Sequence, residues 1–303
     1  MIQPVHFAFN AETAVNNAFQ VAQAGEQTQD KALAEFKDFV QVLLTNDIDV
    51  TVIKDTPDPH TPDSIFPNNW VSFHEEGVLC LYPMFADNRR LERKQHAMQE
   101  ISNKFIVNKT IDFSYFEGDG LFLEGTGSLV LDRENKIAYA CISPRTDKKL
   151  VEVFCTQLGY EPAVFEAVDE QGHQIYHTNV MMCVADKYVV ISMDSIPQKE
   201  ARLRISSMIK NSSKEIIEIS PDQMNHFAGN MLQVQNRAGD KLLIMSTQAY
   251  ESLLPKQIKK LESFNRIVHA SLNTIERNGG GSARCMMAEV FLPLKHAFQA
   301  NSN

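Results

Sequence analysis

The sequence predicts an α/β fold in which one supersecondary unit recurs along a single domain, residues 1–303. Three observations predict it. The composition is globular, with 303 residues of which 44% are hydrophobic and 22% charged, and with 13 Gly and 12 Pro. That is enough chain to bury a sizeable core. From Trp70 onward, one or two strand-like runs, a polar-amphipathic helix and a short β-branched strand follow one another. The interval is about 50 to 60 residues. No linker or low-complexity stretch interrupts the series. Units of this kind bury their apolar faces against their neighbours. An ordinary α/β sandwich of alternating strands and helices is the competing arrangement.

The elements follow in order. A helix is expected within residues 12–46, because Leu33, Phe36, Phe39, Val40 and Leu43 recur at helical spacing. A short strand at 49–53 follows. The second unit has strands in 70–85, a helix at 89–104 and a strand at 105–107. The third has strands in 121–143, a helix at 147–158 and a strand at 163–165. The fourth has 179–193, 198–210 and 216–219 in the same roles. The fifth has strands in 230–247, a helix around 256–264 and a strand at 266–270. A last strand, 285–292, has no helix of its own. It is expected to pair near residues 7–9 and close a ring.

Charge and cysteine usage exclude several classes. Twenty-nine basic residues against 38 acidic ones give a net charge of −9. An acidic chain without a basic cluster is a poor partner for nucleic acid or an anionic membrane. The longest apolar runs, 79–85 and 180–184, are too short to span a bilayer. Residues 1–6 lack the basic and apolar regions of a secretory signal. Cys80, Cys141, Cys155, Cys183 and Cys285 are scattered and odd in number, with no CxxC pair. Reduced thiols in a cytoplasmic setting are expected.

Several segments could carry chemistry, and each has a plainer reading. Gly279, Gly280 and Gly281 precede Ser282, Ala283, Arg284 and Cys285. Such a turn lets the backbone approach a ligand and holds a nucleophilic thiol at the start of a strand. A free Cys before Met286 and Met287 also reads as a small buried hydrophobe. Glu124 lies in an apolar run before Gly125 and Gly127, where burial demands a partner. It reads either as a ligand-binding carboxylate or as a strand-end residue in a hairpin turn. His177 precedes a buried-looking strand and suits general acid and base work, or is structural. His173 and His177 lack the helix and inner Glu of an HExxH metal site, so no metal is expected. Asp63 to Trp70 is a polar loop whose Asn68 and Asn69 also read as turn residues. Arg89, Arg90 and Arg145 sit where arginines clamp carboxylates, though most exposed arginines do not.

Taken in order, carboxylate, His and a C-terminal Cys behind a Gly-rich turn resemble the guanidino-group-modifying superfamily. The resemblance covers nearly the whole chain. It implies the five-bladed α/β propeller, or pentein, with pseudo-five-fold ββαβ repeats. Arginine deiminases, dimethylarginine hydrolases, agmatine deiminases and amidinotransferases belong to that superfamily. The segment from Asp63 to Asn69 is similar to the dimethylarginine hydrolase segment that supplies substrate-binding acids. Asn88, Arg89 and Arg90 match that family's Arg-bearing loop. Leu123 to Gly127 resembles the acidic Gly-Gly motif. Ser143 to Thr146 resembles the Ser-x-Arg-Thr motif, whose arginine holds the substrate α-carboxylate. His177 matches the catalytic His and Cys285 the nucleophile. In pattern the chain is most similar to bacterial citrulline-utilisation hydrolases.

The departures bear on the substrate. Asn68 and Asn69 stand where guanidinium-binding relatives have acids. Thr126 and Gly127 replace the second Gly and the Asp of the usual motif. Asn179 replaces an Asp of deiminases.

The resemblance implies attack of Cys285 on a guanidino or ureido carbon, with His177 moving protons and Glu124 accepting substrate N–H groups. Arg145 and Arg89 would hold the α-carboxylate, with Asp63, Asn68, Asn69 and Gly280 completing the substrate site. Neither metal nor cofactor is needed. The expected partner is a small amino-acid substrate, with self-association as a homodimer open.

With Asn69 in place of an acid, Glu124 is left as the only motif acid near the reacting carbon. The expected substrate is then neutral citrulline, unless Asp63 or Asp119 enters the pocket. A transferase passing the amidino group to an amine and a non-catalytic binding module are the alternatives.

Overall fold

Period-2 and period-3.6 patterns alternate along the chain, and they fold as five small sheets with helices packed beside them. The structure, a computed structural model, describes residues 1–21 and 27–295. Parts of the expected 12–46 helix and of the expected domain, at 22–26 and 296–303, lie outside the described residues. The first sheet pairs β1 (Ile2–Gln3) with β2 (Ile53–Lys54) in parallel, Ile2 opposite Ile53. Between them run α1 (Ala11–Ala14) and α2 (Thr28–Thr45). Ala32, Phe36, Phe39 and Leu43 form the buried stripe of α2, at the spacing of a helix face.

The other four sheets share one plan: an antiparallel hairpin, a crossover with helix, and a third strand parallel to the hairpin's second. The first of them has β3 (Val71–His74), β4 (Val78–Leu81), α3 (Asp87–Arg90), α4 (Gln95–Lys104) and β5 (Lys109–Asp112). The next has α5 (Gly125–Ser128), β6 (Val130–Asp132), β7 (Ile137–Cys141), α6 (Lys148–Leu158) and β8 (Glu161–Phe165). It is followed by α7 (Thr178–Met181), β9 (Met182–Val184), β10 (Tyr188–Ile191), α8 (Lys199–Asn211) and β11 (Glu215–Glu218). The last has α9 (Pro221–Asn225), β12 (Leu232–Gln235), β13 (Lys241–Ser246), α10 (Thr247–Ser252), α11 (Pro255–Glu262) and β14 (Arg266–Ala270). A final helix, α12 (Asn273–Gly279), leads to the C-terminal turn. Among the described residues no helix is long and apolar enough to cross a membrane.

Four expectations are corrected. Residues 285–292 form no strand, and residues 7–9 have no sheet partner. The Cys285, Met286 and Met287 amides bond back to the carbonyls of Ser282, Ala283 and Arg284, which winds the segment into turns. Those turns remove the amides a strand would offer. The N-terminal strand pairs with β2 instead. The expected 89–104 helix is two pieces, α3 and α4, broken where Arg89 reaches Glu92. The strand expected at 105–107 lies at 109–112, because Phe105 is used in an isolated bridge to Leu294.

A short helical turn or polar loop leads into each hairpin, and it carries a polar side chain. Pro67–Asn69 precedes β3, Glu124 caps α5 before β6, and His177 caps α7 before β9. Asn230 precedes β12, and Cys285 sits in the turn after α12. The fold therefore gathers one polar position from each unit.

Candidate active site

Glu124 is fully buried, and its position as N-cap of α5 aims its carboxylate at two neighbouring units. Oε2 accepts a hydrogen bond from His177 Nε2 at 2.8 Å, and Oε1 accepts one from the Phe85 amide at 3.0 Å. Arg145 Nη1 lies 3.5 Å away and Arg89 Nη1 4.0 Å away. Burial pushes the carboxyl up, but Arg145, His177 and Arg89 outweigh burial and hold it at about 2. Glu124 is therefore an anion at neutral pH.

His177 is lowered to about 4, first by burial, with Glu124 opposing the shift. The ring is neutral at pH 7. An ionised carboxylate can only accept, so the proton sits on Nε2 and Nδ1 keeps its lone pair. Nδ1 faces Gly127. A Cβ there would stand 2.7 Å from Nδ1 and 2.5 Å from Asn69 Nδ2, so only glycine leaves room for both. Gly280 has φ +62°, and a Cβ on it would meet the Asn17 amide at 2.5 Å.

Cys285 is buried with its sulfur beside two carboxamides. Asn179 Nδ2 lies at 3.4 Å and Asn230 Nδ2 at 3.3 Å. Arg145 is buried in the turn closed by Ser143 and Thr146. Its Nε and Nη2 both donate to Asn16 Oδ1, at 2.8 and 2.5 Å, and Nη2 also donates to the Thr13 carbonyl at 2.7 Å. Arg89 donates twice to Glu92, at 2.8 and 3.0 Å, and once to Asn69 Oδ1 at 2.8 Å. Asp63 Oδ2 accepts from Asn10 and Thr13. Its Oδ1 is buried with no hydrogen-bond partner among the described residues. Burial raises both acids near Arg89. Asp63 moves upward against the Arg89 charge, and Glu92 reaches about 7.

Asp63, Asn69, Arg89, Arg145, His177, Gly280 and Cys285 line one pocket with Thr13, Asn17 and Tyr176. Glu124 lies behind His177. The free space is small, about 10 Å³, with residues 13 and 17 forming one wall. A much larger cleft of about 490 Å³, lined by Met1, Trp70, Phe73 and Phe291 among others, shares no residue with this pocket. Its lining holds no such cluster of ionisable groups, so the smaller pocket is the candidate active site.

One site expectation changes. Among the described residues Asn68 does not line the pocket; its carbonyl accepts from Thr126 Oγ1 and its side chain accepts from Asn69. Of the two acids left open beside Glu124, Asp63 lines the pocket and Asp119 is exposed. Asn10, Thr13, Asn16, Glu92 and Asn230 belong to the site without having been singled out in the sequence. The position of Asn230 just before a hairpin, like Asn69, Glu124 and His177, is the signal that could have found it.

Several solved structures share this fold. ArgZ, an arginine dihydrolase of the ornithine-ammonia cycle in cyanobacteria, superposes with a TM-score of 0.76 at 19% identity. The match covers 98% of this chain and 41% of that one, so the chain spans about two fifths of full-length ArgZ. A variant N-terminal domain of ArgZ, covalently bonded to a reaction intermediate, matches with a TM-score of 0.75 at 19% identity, covering 97% of this chain and 98% of that one. A variant dimethylarginine dimethylaminohydrolase in adduct with S-methyl-L-thiocitrulline matches with a TM-score of 0.65 at 16% identity, covering 94% and 96%. No curated protein sequence matches the chain. The profile of a family described as N,N dimethylarginine dimethylhydrolase, eukaryotic, matches residues 3–292. Since that match takes in nearly all of the described residues, the chain belongs to the dimethylarginine dimethylhydrolase family.

Proposed function

We propose that this chain is a cysteine-dependent hydrolase of C–N bonds in the guanidino or ureido group of a free amino acid, with arginine as the preferred substrate. The carrying observation is the pocket that Cys285, His177, Arg145 and Asp63 share, with Glu124 bonded to His177. The five sheets, four of them built as a hairpin with a parallel third strand, support a five-bladed α/β propeller of ββαβ repeats in a single domain, residues 1–303.

The Cys285 thiol gives its proton to His177 Nδ1, and the thiolate then attacks the central carbon. The imidazolium returns that proton to the leaving nitrogen, which departs as ammonia. His177 then takes a proton from water. The resulting hydroxide attacks the thiouronium carbon and the sulfur leaves, giving citrulline. Glu124 stabilises the imidazolium through Nε2 and favours positive charge on the reacting carbon. A second round on the ureido group releases ammonia, carbon dioxide and ornithine, the chemistry that the name arginine dihydrolase describes for ArgZ. The adduct and the covalent intermediate of the two neighbours support a thiouronium-like or thiocarbamoyl species on the cysteine. Arg145 holds the α-carboxylate. Arg89 is committed to Glu92 and Asn69 and shapes the wall.

Charge favours arginine over citrulline. Three carboxylates, Asp63, Glu92 and Glu124, face two guanidiniums, Arg89 and Arg145. With all three acids ionised the pocket carries one excess negative charge, a state that burial of Asp63 and Glu92 disfavours until a cation enters. Arginine brings a net positive charge and neutralises it, whereas zwitterionic citrulline leaves it uncompensated. The expectation of citrulline held unless Asp63 or Asp119 entered the pocket, and the place of Asp63 in its lining favours arginine.

The test is kcat/KM for arginine, citrulline, dimethylarginine and agmatine in the wild type and in Asp63→Asn. Arginine is expected to lead. Asp63→Asn is expected to lose about tenfold on arginine and less on citrulline. A wild type that prefers citrulline overturns the charge argument, and one that hydrolyses none of the panel overturns the functional reading.

A further inference from the structure

We infer that Asn179 and Asn230 are catalytic residues that hold the Cys285 sulfur as an anion through two side-chain amide donors. The inference rests on the functional reading only in taking Cys285 as the nucleophile.

The orientation of Asn230 is fixed by its surroundings. Its Oδ1 accepts from the Arg284 amide at 3.0 Å, and its Nδ2 donates to the Asn179 carbonyl at 3.0 Å. Flipping the amide would break both bonds, so an N–H faces Sγ at 3.3 Å. Asn179 Nδ2 adds a second donor at 3.4 Å. Both residues are buried, at 1% and 0% exposure, so water does not compete for these N–H groups.

With the amides as placed, the acceptor for a thiol S–H is Asn230 Oδ1 at 3.8 Å, and that oxygen already holds the Arg284 amide. Asn179 Oδ1 has no partner among the described residues, and only a turned Asn179 amide would bring it to the S–H. A thiolate, with lone pairs only, accepts from both carboxamides. The same donors serve twice in each turnover. They hold the sulfur before attack and again when it leaves the intermediate.

The charged groups do not supply this stabilisation by themselves. Across the pocket stand neutral His177 and Tyr176, whose hydroxyl is committed to the Gly280 carbonyl at 2.6 Å. Arg89 and Arg145 are balanced by Asp63, Glu92 and Glu124. On the sulfur's own turn, the Arg284 guanidinium is bound to the Met287 carbonyl and to Glu289.

The experiment is alkylation of the whole chain by iodoacetamide between pH 5 and 10, with Cys285→Ser as the blank. Asn179→Asp keeps the shape, removes a donor and adds a negative charge. Asn230→Leu removes the other donor. Each variant is expected to alkylate Cys285 roughly tenfold more slowly at pH 7, with full recovery of rate at high pH. Asn179→Asp is expected to show the larger shift of the pH curve.

Asn230 also supports backbone, so Asn230→Leu is read only if its circular dichroism and Tm match the wild type. The Asn179 side chain has no backbone bond of this kind, and Asn179→Asp decides the matter if the other unfolds. A folded Asn179→Asp whose alkylation curve overlays the wild type overturns the inference. Because alkylation needs no substrate, a chain that fails on arginine and citrulline but shows the shift sinks the functional reading and leaves this one standing.

Discussion

Burial alone does not single out the reactive cysteine, because all five are buried. Burial pushes Cys80, Cys141, Cys155 and Cys183 up to about 12, which keeps them protonated and inert. Cys285 alone lines the pocket with His177. Cys285→Ser is expected to abolish turnover while Tm stays within about 2 °C, since an isosteric change leaves the packing intact. Measurable turnover in that variant would remove the covalent mechanism. Arg145 sets a second expectation. Losing a bidentate charge-assisted pair in a desolvated pocket costs on the order of 3 kcal/mol. Arginine should therefore exceed agmatine about hundredfold in kcat/KM, and Arg145→Ala should erase the difference. Equal efficiencies in the wild type would mean that no carboxylate is read. Cys285, His177, Glu124, Arg145 and Asp63 were legible because charge or nucleophilicity marks them in a chain that otherwise alternates apolar and polar. Asn230 and Asn16 were not, since asparagine in a loop reads first as turn chemistry. Their meaning comes from partners more than fifty residues away, Cys285 and Arg145.

At the scale of elements, strand and helix periodicity carried most of the fold. The β14 strand falls at the expected residues, and α6 and α8 fall within one residue of expectation. The short helical turns before the hairpins were not legible. Gly125–Ser128 has poor helix propensity and is far below the length at which an isolated helix forms. It is held by tertiary bonds instead, with Ser128 Oγ donating to the Arg145 carbonyl and Thr126 Oγ1 to the Asn68 carbonyl. The segment of α1 and residues 15–17 raises a separate point. Asn16 Oδ1 takes two of the Arg145 N–H groups that a substrate carboxylate would use, and the pocket beneath it is nearly filled. Substrate must displace this contact. Asn16→Ala removes the competitor, and a hydrogen bond to a charged group is worth about 1.5 kcal/mol. KM for arginine should fall roughly tenfold with kcat changed less than twofold. A rise in KM would show instead that Asn16 helps to bind the substrate.

Across the whole molecule, the buried titratable groups pull stability in opposite directions with pH. His177 is lowered from 6.5 to about 4 and Glu124 from 4.5 to about 2. The folded chain holds fewer protons than the unfolded one in those windows, so their contributions are lost as pH falls, His177 first. Glu92 and Glu276 behave oppositely, since burial raises both from 4.5 to about 7. The folded chain holds more protons than the unfolded one between pH 4.5 and 7, so stability falls as pH rises through that window and is level above it. Glu276 isolates the effect. It lies in α12, its Oε1 accepts from Ser282 Oγ at 2.5 Å, and its Oε2 has no hydrogen-bond partner among the described residues. Ionising it leaves a buried charge beneath the turn that carries Cys285, at a cost of up to about 3 kcal/mol. Glu276→Gln keeps the acceptor for Ser282 and cannot ionise. Urea unfolding at pH 4.5 and pH 8 should therefore show the variant gaining about 2 kcal/mol on the wild type between the two pH values. An unchanged difference between variant and wild type at the two pH values would mean that Glu276 is already ionised in the folded chain at pH 4.5, or stays protonated to pH 8. Either outcome would remove it as the source of the alkaline loss.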